Sequence, residues 1–363
     1  MNPTEKLSLI NRNVVEEIVT LNELKSLLES RSKPRAYWGF ECSGMMHLGM
    51  GLICGSKIKD MIEAGFEFII FLADWHSWIN NKLGGVMENI RICGEYFKQC
   101  FEGLGIPQNK VNYVWASELV KNVEYWERVI KIAKQASLNR VWRALPIMGR
   151  EMESMDIDAA SIFYPCMQAA DIFQMDIDVA CAGMDQRKAH MLARDVAEKL
   201  KWKKPICVHT HLLMGLKAPT HFKKAKFDEN IEVSSQIESK MSKSMPGSSI
   251  FIHDSPEEIR KKIQSAYCKP KELKFNPIME LAKYIIFPEL KELQIERPLK
   301  YGGPIKFKSY EELENEYLNG KIHPQDIKNS VAESLIKLLE GVRKYFDKKP
   351  ELLEEMKKID ITR

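Results

Sequence analysis

The chain has 363 residues, of which 45% are apolar, so it is too apolar for a disordered protein and long enough for two domains. Lysine and arginine number 54 against 50 aspartates and glutamates, a net charge of +4 that permits a nucleic-acid partner without requiring one. The eight cysteines form no C-x-x-C pair, which argues against a zinc site or a disulfide framework, and no run approaches the ~20 apolar residues of a membrane span. We therefore expect a cytoplasmic protein with no membrane partner.

Five short apolar segments alternate with helix-period segments in the first part of the chain. The predicted strands are Arg35–Phe40, Phe66–Asp74, Lys110–Ser117, Asp176–Gly183 and Lys204–Leu213. Near-continuous apolar strands separated by helices are typical of a parallel sheet covered on both faces. We predict an α/β fold with a Rossmann-type doubly wound parallel sheet. A long, helical and basic stretch at about residues 118–162 falls between two strands and is predicted to be a helical insert.

A turn rich in glycine follows the first predicted strand, in the segment YWGFECSGMMHLGMG. Ligands of open α/β sheets bind at the carboxyl ends of strands, and the N–H groups at a helix start attract phosphate. Gly44 and Gly49 would let a nucleotide approach the backbone closely, and His47 could donate to a phosphate oxygen. A strand–turn–helix corner with a capping histidine explains the same residues, so this segment alone leaves both interpretations open.

Polar side chains converge in the middle of the chain. In YPCMQAAD, Tyr164, Gln168 and Asp171 share one helix face, although an aspartate is almost never buried without a partner. The segment GMDQRKAH brings Gln186 to the same sheet edge, and Tyr37 is expected at the end of the first strand, facing the same place. Local capping by Asp171 and core packing of Tyr164 explain the residues singly, but they account poorly for five polar groups in one crevice.

A loop with two lysines spans residues 238–249, ESKMSKSMPGSS. Its proline, glycine and small hydroxyl residues will not hold a stable helix or a buried strand. Lys240 and Lys243 are flexible point charges that suit the pyrophosphate leaving ATP, and a mobile loop can close on the charge as it builds. A solvated basic loop is the alternative. From about Cys268 onward amphipathic helices dominate, so we predict a catalytic domain over 1–267 and a mostly α-helical domain over 268–363.

The two glycine- and lysine-containing segments together resemble class I aminoacyl-tRNA synthetases. HLGM at His47–Met50 resembles the family's H-I-G-H signature, and KMSKS at Lys240–Ser244 matches its second signature in the expected order. Met50 replaces the last signature histidine and cannot donate a hydrogen bond. Either backbone groups and His47 suffice for the contact with ATP, or another donor replaces it, for which Ser43, His76 and the lysine loop are candidates. The resemblance implies an ATP site formed by Gly44, His47, Gly49, Lys240, Ser242 and Lys243. It assigns catalysis to His47, Lys240 and Lys243.

The candidate amino-acid pocket resembles that of the tyrosyl-tRNA synthetases of the archaeal and eukaryotic kind. Asp171 and Tyr37 together would read a phenolic hydroxyl, while Tyr164, Gln168 and Gln186 would hold an α-ammonium. The tryptophanyl-tRNA synthetases are the nearest alternative, because they share the class, both signatures and a G-x-D-Q motif. Tyr37 favours a phenol over an indole at this place.

The resemblance also implies the substrates and partners: L-tyrosine, ATP with Mg²⁺, tRNA(Tyr) and a second copy of the chain, in a homodimer with the insert at its interface. It implies no dedicated protein metal site. Arg187 and Lys188 match residues that approach the acceptor end of the tRNA. Asp326 matches the position that reads the first anticodon base, although Pro324 before it also fits a plain helix N-cap.

Two interpretations from other classes stay open at this point. One is an RNA-binding homologue without catalysis, which Met50 favours and the intact Lys240 and Lys243 oppose. The other is a nucleotidyltransferase that activates a small molecule without tRNA, which the helical C-terminal part opposes.

Overall fold

The structure, a computed structural model, describes residues 1–149, 158–217, 231–242 and 247–360. Its strands are β1 Val15–Val19, β2 Arg35–Phe40, β3 Glu67–Leu72, β4 Asn112–Trp115, β5 Val179–Gly183, β6 Ile206–Thr210, β7 Leu293–Ile295 and β8 Ile305–Phe307. None of the helices in these ranges is long and apolar enough to cross a membrane.

The helices of the described ranges fall into three groups along the chain. Those before β5 are α1 Pro3–Ile10, α2 Leu21–Ser30, α3 Gly55–Glu63, α4 Asp74–Ile79, α5 Met87–Gly103, α6 Ala116–Leu119, α7 Val123–Gln135, α8 Leu138–Trp142 and α9 Phe163–Gln174. Those up to residue 265 are α10 Arg187–Leu200, α11 Ile231–Ser239 and α12 Pro256–Ser265. The last are α13 Pro277–Leu281, α14 Phe287–Leu290, α15 Tyr310–Leu318, α16 Pro324–Leu338, α17 Glu340–Lys348 and α18 Glu351–Lys358.

The main sheet has the strand order β1-β6-β5-β2-β3-β4. Strands β2 to β6 run parallel, and β1 pairs antiparallel with β6 at the edge. The chain proceeds from β2 to β3 and β4, then returns to the other side of β2 for β5 and β6. This reversal opens a crevice at the carboxyl ends of β2 and β5, where doubly wound folds bind ligands. The predicted Rossmann-type fold is confirmed, and each predicted strand lies over an observed one.

The two faces of the sheet carry separate apolar cores, since successive side chains of a strand point to opposite faces. Trp38, Phe40 and Ile70 belong to a core that continues into the C-terminal helices, where α17 and α18 pack on α5. Tyr37 and Phe71 belong to the other core, which α7, α9 and α10 cover. The sequence predicts Tyr37 at the end of the first strand, but it is the third residue of β2. Its side chain lies in the core that α7, part of the predicted insert, helps to cover.

The sequence pattern did not predict β1 or the β7–β8 hairpin. Strand β1, VEEIV, carries two glutamates, and it is held at the sheet edge by long-range ion pairs: Glu16 with His211, and Glu17 with Arg187 and His209. The β7 and β8 strands have three residues each, too few to produce an alternating pattern within a helical region. Both elements depend on partners remote in sequence.

The Glu16–His211 pair makes stability depend on pH. His211 is buried with Nδ1 2.7 Å from Glu16 Oε1. Burial acts to lower the pKa of His211, but the hydrogen bond with Glu16 and the nearby Glu280 carboxylate outweigh it and raise the pKa from 6.5 to about 9. The folded protein therefore holds this proton more tightly than the unfolded chain, which contributes stability that is complete below pH 6.5 and lost as pH rises through about 9.

We expect the free energy of unfolding to fall by up to about 3 kcal/mol across that window, as measured by urea denaturation at successive pH values. His211→Gln, which does not titrate, should flatten this part of the profile. Equal slopes in the two proteins would contradict the assignment.

Candidate active site

The corner predicted to bind phosphate lies between β2 and α3. Gly44 adopts a φ of 132°, a conformation that favours glycine, and the chain then enters a helix that begins with a π-helical segment, Gly49–Cys54, before α3. The Gly49 N–H donates to His47 Nδ1 at 3.1 Å, so His47 caps the helix start. In the neutral tautomer this leaves the proton on Nε2. The capping and the phosphate-donating interpretations of His47 are therefore compatible.

The corner is joined by backbone hydrogen bonds to the segment that follows the lysine loop. Leu48 N donates to Ile250 O at 3.0 Å, and Ile252 N donates to Met46 O at 3.1 Å. The two signatures, about 200 residues apart in the chain, are thus parts of one structural unit. Gly51 lies at their contact, where an added Cβ would meet Ile252 Cγ2 at 2.5 Å.

Gly51→Ala is expected to lower the free energy of unfolding by about 2 kcal/mol and to raise the KM for ATP, because the new methyl group pushes the corner away from Ile252. Gly55→Ala on the same helix is the control, since its Cβ would find Ile106 Cδ1 at 3.8 Å, an ordinary contact. Thermal unfolding and ATP-dependent kinetics measure both effects. If Gly51→Ala and Gly55→Ala have the same stability and the same KM for ATP, the tight contact at Gly51 is contradicted.

Lys240, the first lysine of the loop, is paired with a carboxylate in this structure. Its Nζ donates to Asp185 Oδ2 at 2.6 Å, and Asp185 belongs to the G-M-D-Q segment after β5. The base of the loop is closed by Ser249 Oγ, which donates to Ser242 O at 2.6 Å. Lys243 lies outside the described residues. A phosphate that engages Lys240 must therefore compete with Asp185.

Asp171 forms the buried end of the candidate amino-acid pocket. It is 1% exposed; its Oδ1 accepts a hydrogen bond from the Tyr125 hydroxyl at 2.8 Å, and its Oδ2 lies 3.2 Å from His76 Nε2. Tyr37 is buried on β2. Its burial, together with the negative charge of Asp171, raises the pKa of Tyr37 and keeps the phenol neutral. These long-range partners contradict local capping by Asp171 and place a carboxylate among three aromatic rings.

The other predicted tyrosine-binding residues form two pairs. The Tyr164 hydroxyl donates to Glu41 Oε1 at 3.4 Å, and Gln168 Nε2 donates to Gln186 Oε1 at 3.2 Å. Gln168 Oε1 is buried without a hydrogen-bond partner in the described part of the chain, which leaves an acceptor for an ammonium group. Gln186 is fixed in turn by donation to Ile147 O at 3.1 Å.

Sequence reasoning missed Glu41, Tyr125 and Asp185, and it assigned His76 only as an alternative ATP donor. Glu41 follows β2 directly, and Asp185 stands within the G-M-D-Q motif, so position alone was a usable signal for both. Tyr125 had no such signal, because it reaches Asp171 from α7. His76 lies against Asp171, with its ring centroid 4.9 Å from that of Tyr164, and so belongs to the amino-acid pocket.

The residues predicted to contact tRNA are Arg187, Lys188 and Asp326. Arg187 makes a two-point ion pair with Glu17 at 2.8 and 2.9 Å, and Lys188 follows it at the start of α10. A hydrogen bond from His209, opposed by burial and supported by Arg187, lowers the pKa of Glu17 to about 2. The N-cap of α16 is His323, which accepts from Gln325 N at 3.1 Å, so the plain N-cap interpretation of Asp326 is wrong. Asp326 lies half-buried in the first turn of α16.

Comparisons with known proteins agree with this geometry. The family described as tRNA synthetases class I (W and Y) matches residues 29–340. The tyrosine–tRNA ligase of Saccharolobus solfataricus is 47% identical over 99% of this chain and 97% of its own length. That of Pyrococcus furiosus is 46% identical over the full length of both chains. The crystal structure of a tyrosyl-tRNA synthetase from Pyrococcus horikoshii with L-tyrosine superposes with a TM-score of 0.91 at 45% identity, covering 99% of this chain and 100% of that one.

A Rossmann-type sheet with the candidate phosphate corner and a lysine loop at its carboxyl edge is the arrangement of a class I synthetase, which activates an amino acid with ATP. The chain belongs to the class I tRNA synthetase family that comprises the tryptophan and tyrosine enzymes. The family resemblance predicted from the two signatures is confirmed.

Proposed function

We infer that the chain activates L-tyrosine with ATP and transfers the tyrosyl group to tRNA(Tyr), the reaction of a tyrosine–tRNA ligase. The observation that supports this conclusion is the Asp171 carboxylate, buried against Tyr125 and His76 at the end of the pocket, which we take as the acceptor for the substrate's phenolic hydroxyl. Relatives 46–47% identical over nearly the whole chain bear the same activity in their names. A tRNA substrate also points to a cytoplasmic location.

The reaction has two steps, and both rest on positioning more than on a nucleophilic side chain. The tyrosine carboxylate attacks the α-phosphorus of ATP and forms a bond between a carboxyl oxygen and that phosphorus. The bond between the α-phosphorus and the oxygen that bridges it to the β-phosphorus breaks, and pyrophosphate leaves. The 2′- or 3′-hydroxyl of the terminal tRNA adenosine then attacks the tyrosyl carbonyl and releases AMP. His47 and the lysines of the loop would stabilise the phosphate charge, and Gln168 and Gln186 would orient the α-ammonium.

Magnesium enters this proposal as part of the ATP substrate, held by phosphate oxygens and water. In the described ranges, no three His, Cys, Asp or Glu side chains are grouped as metal ligands. The chain's own residues then act on the phosphates from the corner at Gly44–Gly49 and from the lysine loop.

ATP–pyrophosphate exchange tests the proposed substrate. We expect exchange with tyrosine, no measurable exchange with phenylalanine or tryptophan, and no requirement for tRNA. Equal exchange with tryptophan would assign the chain to the other branch of the family. If none of tyrosine, phenylalanine and tryptophan supports exchange, the RNA-binding interpretation is favoured.

The proposal includes a homodimer. Helices α7 and α8, within the predicted insert, expose large apolar side chains, with Val123 74%, Ile130 49%, Leu138 66% and Trp142 41% exposed. Apolar groups concentrated in this way are typical of protein–protein contacts. Light scattering should give twice the chain mass of 42.0 kDa, and charged residues at Val123 and Leu138 should reduce it to the single mass.

The proposal also takes residues 268–363 as the anticodon-binding domain, with Asp326 as the residue that reads the first anticodon base. Asp326→Ala is expected to impair tyrosine transfer and to leave exchange nearly unchanged. Loss of a specific base contact costs ~1–3 kcal/mol of discrimination. Because His323 is the N-cap, the stability cost of the substitution should stay below about 1 kcal/mol.

Charging of transcripts with guanine or another base at the first anticodon position measures this role directly. Asp326→Ala should reduce the difference in charging rate between the transcript with guanine and the transcript with another base. A variant that loses the same factor on both would show that Asp326 does not read the base.

A further inference from the structure

The C-terminal helical region contacts the backbone beside the lysine loop through one carboxylate. Glu280 lies on α13, and its Oε2 accepts a hydrogen bond from Met214 N at 2.9 Å. Met214 is buried in the segment that follows β6, and the Glu280 side chain is 23% exposed. The contact therefore crosses between sequence regions 66 residues apart at the edge of the candidate active site.

Met214 belongs to the short ladder on which the lysine loop begins. It forms an antiparallel bridge with Lys240. On either side of it, Met241 N donates to Leu213 O at 2.7 Å and Gly215 N donates to Ser239 O at 2.9 Å. Any displacement of the Met214 backbone is transmitted to Lys240, whose ammonium group lies beside Asp185.

Glu280 is itself held by a buried histidine. His211 Nε2 lies 3.4 Å from Glu280 Oε2, and the opposite ring nitrogen lies 2.7 Å from Glu16. The His211 ring stacks on Tyr284 with centroids 3.8 Å apart and planes inclined by 13°. A protonated His211 lies between the Glu16 and Glu280 carboxylates, and its charge favours the Glu280 position in which Oε2 accepts from Met214 N.

We propose that Glu280 is a positioning residue for the lysine loop, so that the helical region sets the position from which Lys240 and the residues after it reach ATP. This inference rests on the proposed function only for the statement that the lysine loop acts on ATP. The mechanical part, that Glu280 holds the ladder at residues 213–216 and 239–241, is a property of the fold.

Hydrogen exchange measured by mass spectrometry tests the mechanical part without any substrate. Glu280→Ala should speed amide exchange in peptides that cover 213–216 and 239–242 by about tenfold, a change of about 1.4 kcal/mol, and leave the peptide over β2 unchanged. Glu333→Ala is the matched control, because it removes a glutamate of the helical region whose pair with Arg260, at 2.7 and 3.1 Å, does not touch the loop.

The kinetic arm separates positioning from general stability. Glu280→Ala should lower kcat for tyrosine-dependent exchange by about tenfold and leave tyrosine affinity within about twofold, since only the step that uses the loop is affected. Glu280→Gln should recover most of the rate, because its amide oxygen can still accept from Met214 N.

Three results would overturn the proposal: loop amides as protected in Glu280→Ala as in Glu333→Ala, equal loss of kcat and tyrosine affinity, or no recovery with glutamine. A wild-type protein without tyrosine-dependent exchange would instead refute the proposed function, and the hydrogen-exchange comparison would still decide on Glu280.

Discussion

Replacing Asp171 by alanine is expected to lower kcat/KM for tyrosine in ATP–pyrophosphate exchange by a factor of about 10²–10³. The substitution removes the buried acceptor proposed for the substrate hydroxyl, and it leaves the Tyr125 hydroxyl without the carboxylate to which it donates at 2.8 Å. Loss of the substrate's hydrogen bond to a charged group, together with the weaker satisfaction of the Tyr125 hydroxyl, which keeps Met167 O at 3.4 Å as an acceptor, corresponds to about 3–4 kcal/mol. The loss should appear mainly in kcat/KM for tyrosine and much less in the KM for ATP.

Tyr125→Phe is the matched control for Asp171. It removes one donor to the carboxylate and retains the carboxylate itself, so exchange should stay within about tenfold of the wild-type rate. Thermal unfolding of both variants separates substrate recognition from core stability. If Asp171→Ala melts early and yet keeps its specificity for tyrosine, then Asp171 serves the packing of α9 and does not read the substrate.

Lys243→Ala is expected to lower the rate of adenylate formation by about 10²–10³ and to leave tyrosine binding unchanged. The lysine is proposed to meet charge that develops on the leaving pyrophosphate, so its contribution belongs to the transition state. The resemblance of KMSKS to the family signature carries this role. Lys240, the first lysine of the loop, is paired with Asp185 in this structure.

Single-turnover kinetics and equilibrium tyrosine binding measure the two quantities separately. Lys217→Ala, an exposed lysine before the loop, is the control for the loss of a positive charge in this region and should behave as the wild type. Weaker tyrosine binding with an unchanged rate at saturation would show that Lys243 acts on the ground state and not on the leaving group.

The parallel sheet could be predicted because its evidence is local. Strands β2, β3, β5 and β6 are short apolar runs bounded by turn residues, and burial on both faces makes such runs conspicuous in a sequence. The edge strand β4 is only half-buried, but it is likewise short and largely apolar. The spacing of Tyr164, Gln168 and Asp171 likewise follows from the period of one helix. The strand β1 could not be predicted, because its two glutamates are paired with His209, His211 and Arg187, which follow about 170 to 195 residues later.

The amino-acid sequence by itself determined the class of chemistry. The two signatures stand in the chain order of the class I synthetases, and one helix face between them carries polar side chains at helical spacing. Only the tertiary structure decided which of these groups are partners. Tyr125 reaches Asp171 across 46 residues, Lys240 reaches Asp185 across 55, and Met46 and Leu48 join the segment at Ile250–Ile252. Hydrogen bonds of this kind depend on distances of about 3 Å between atoms. Local residue patterns carry no information about such distances, which are set by how the chain crosses the sheet and returns.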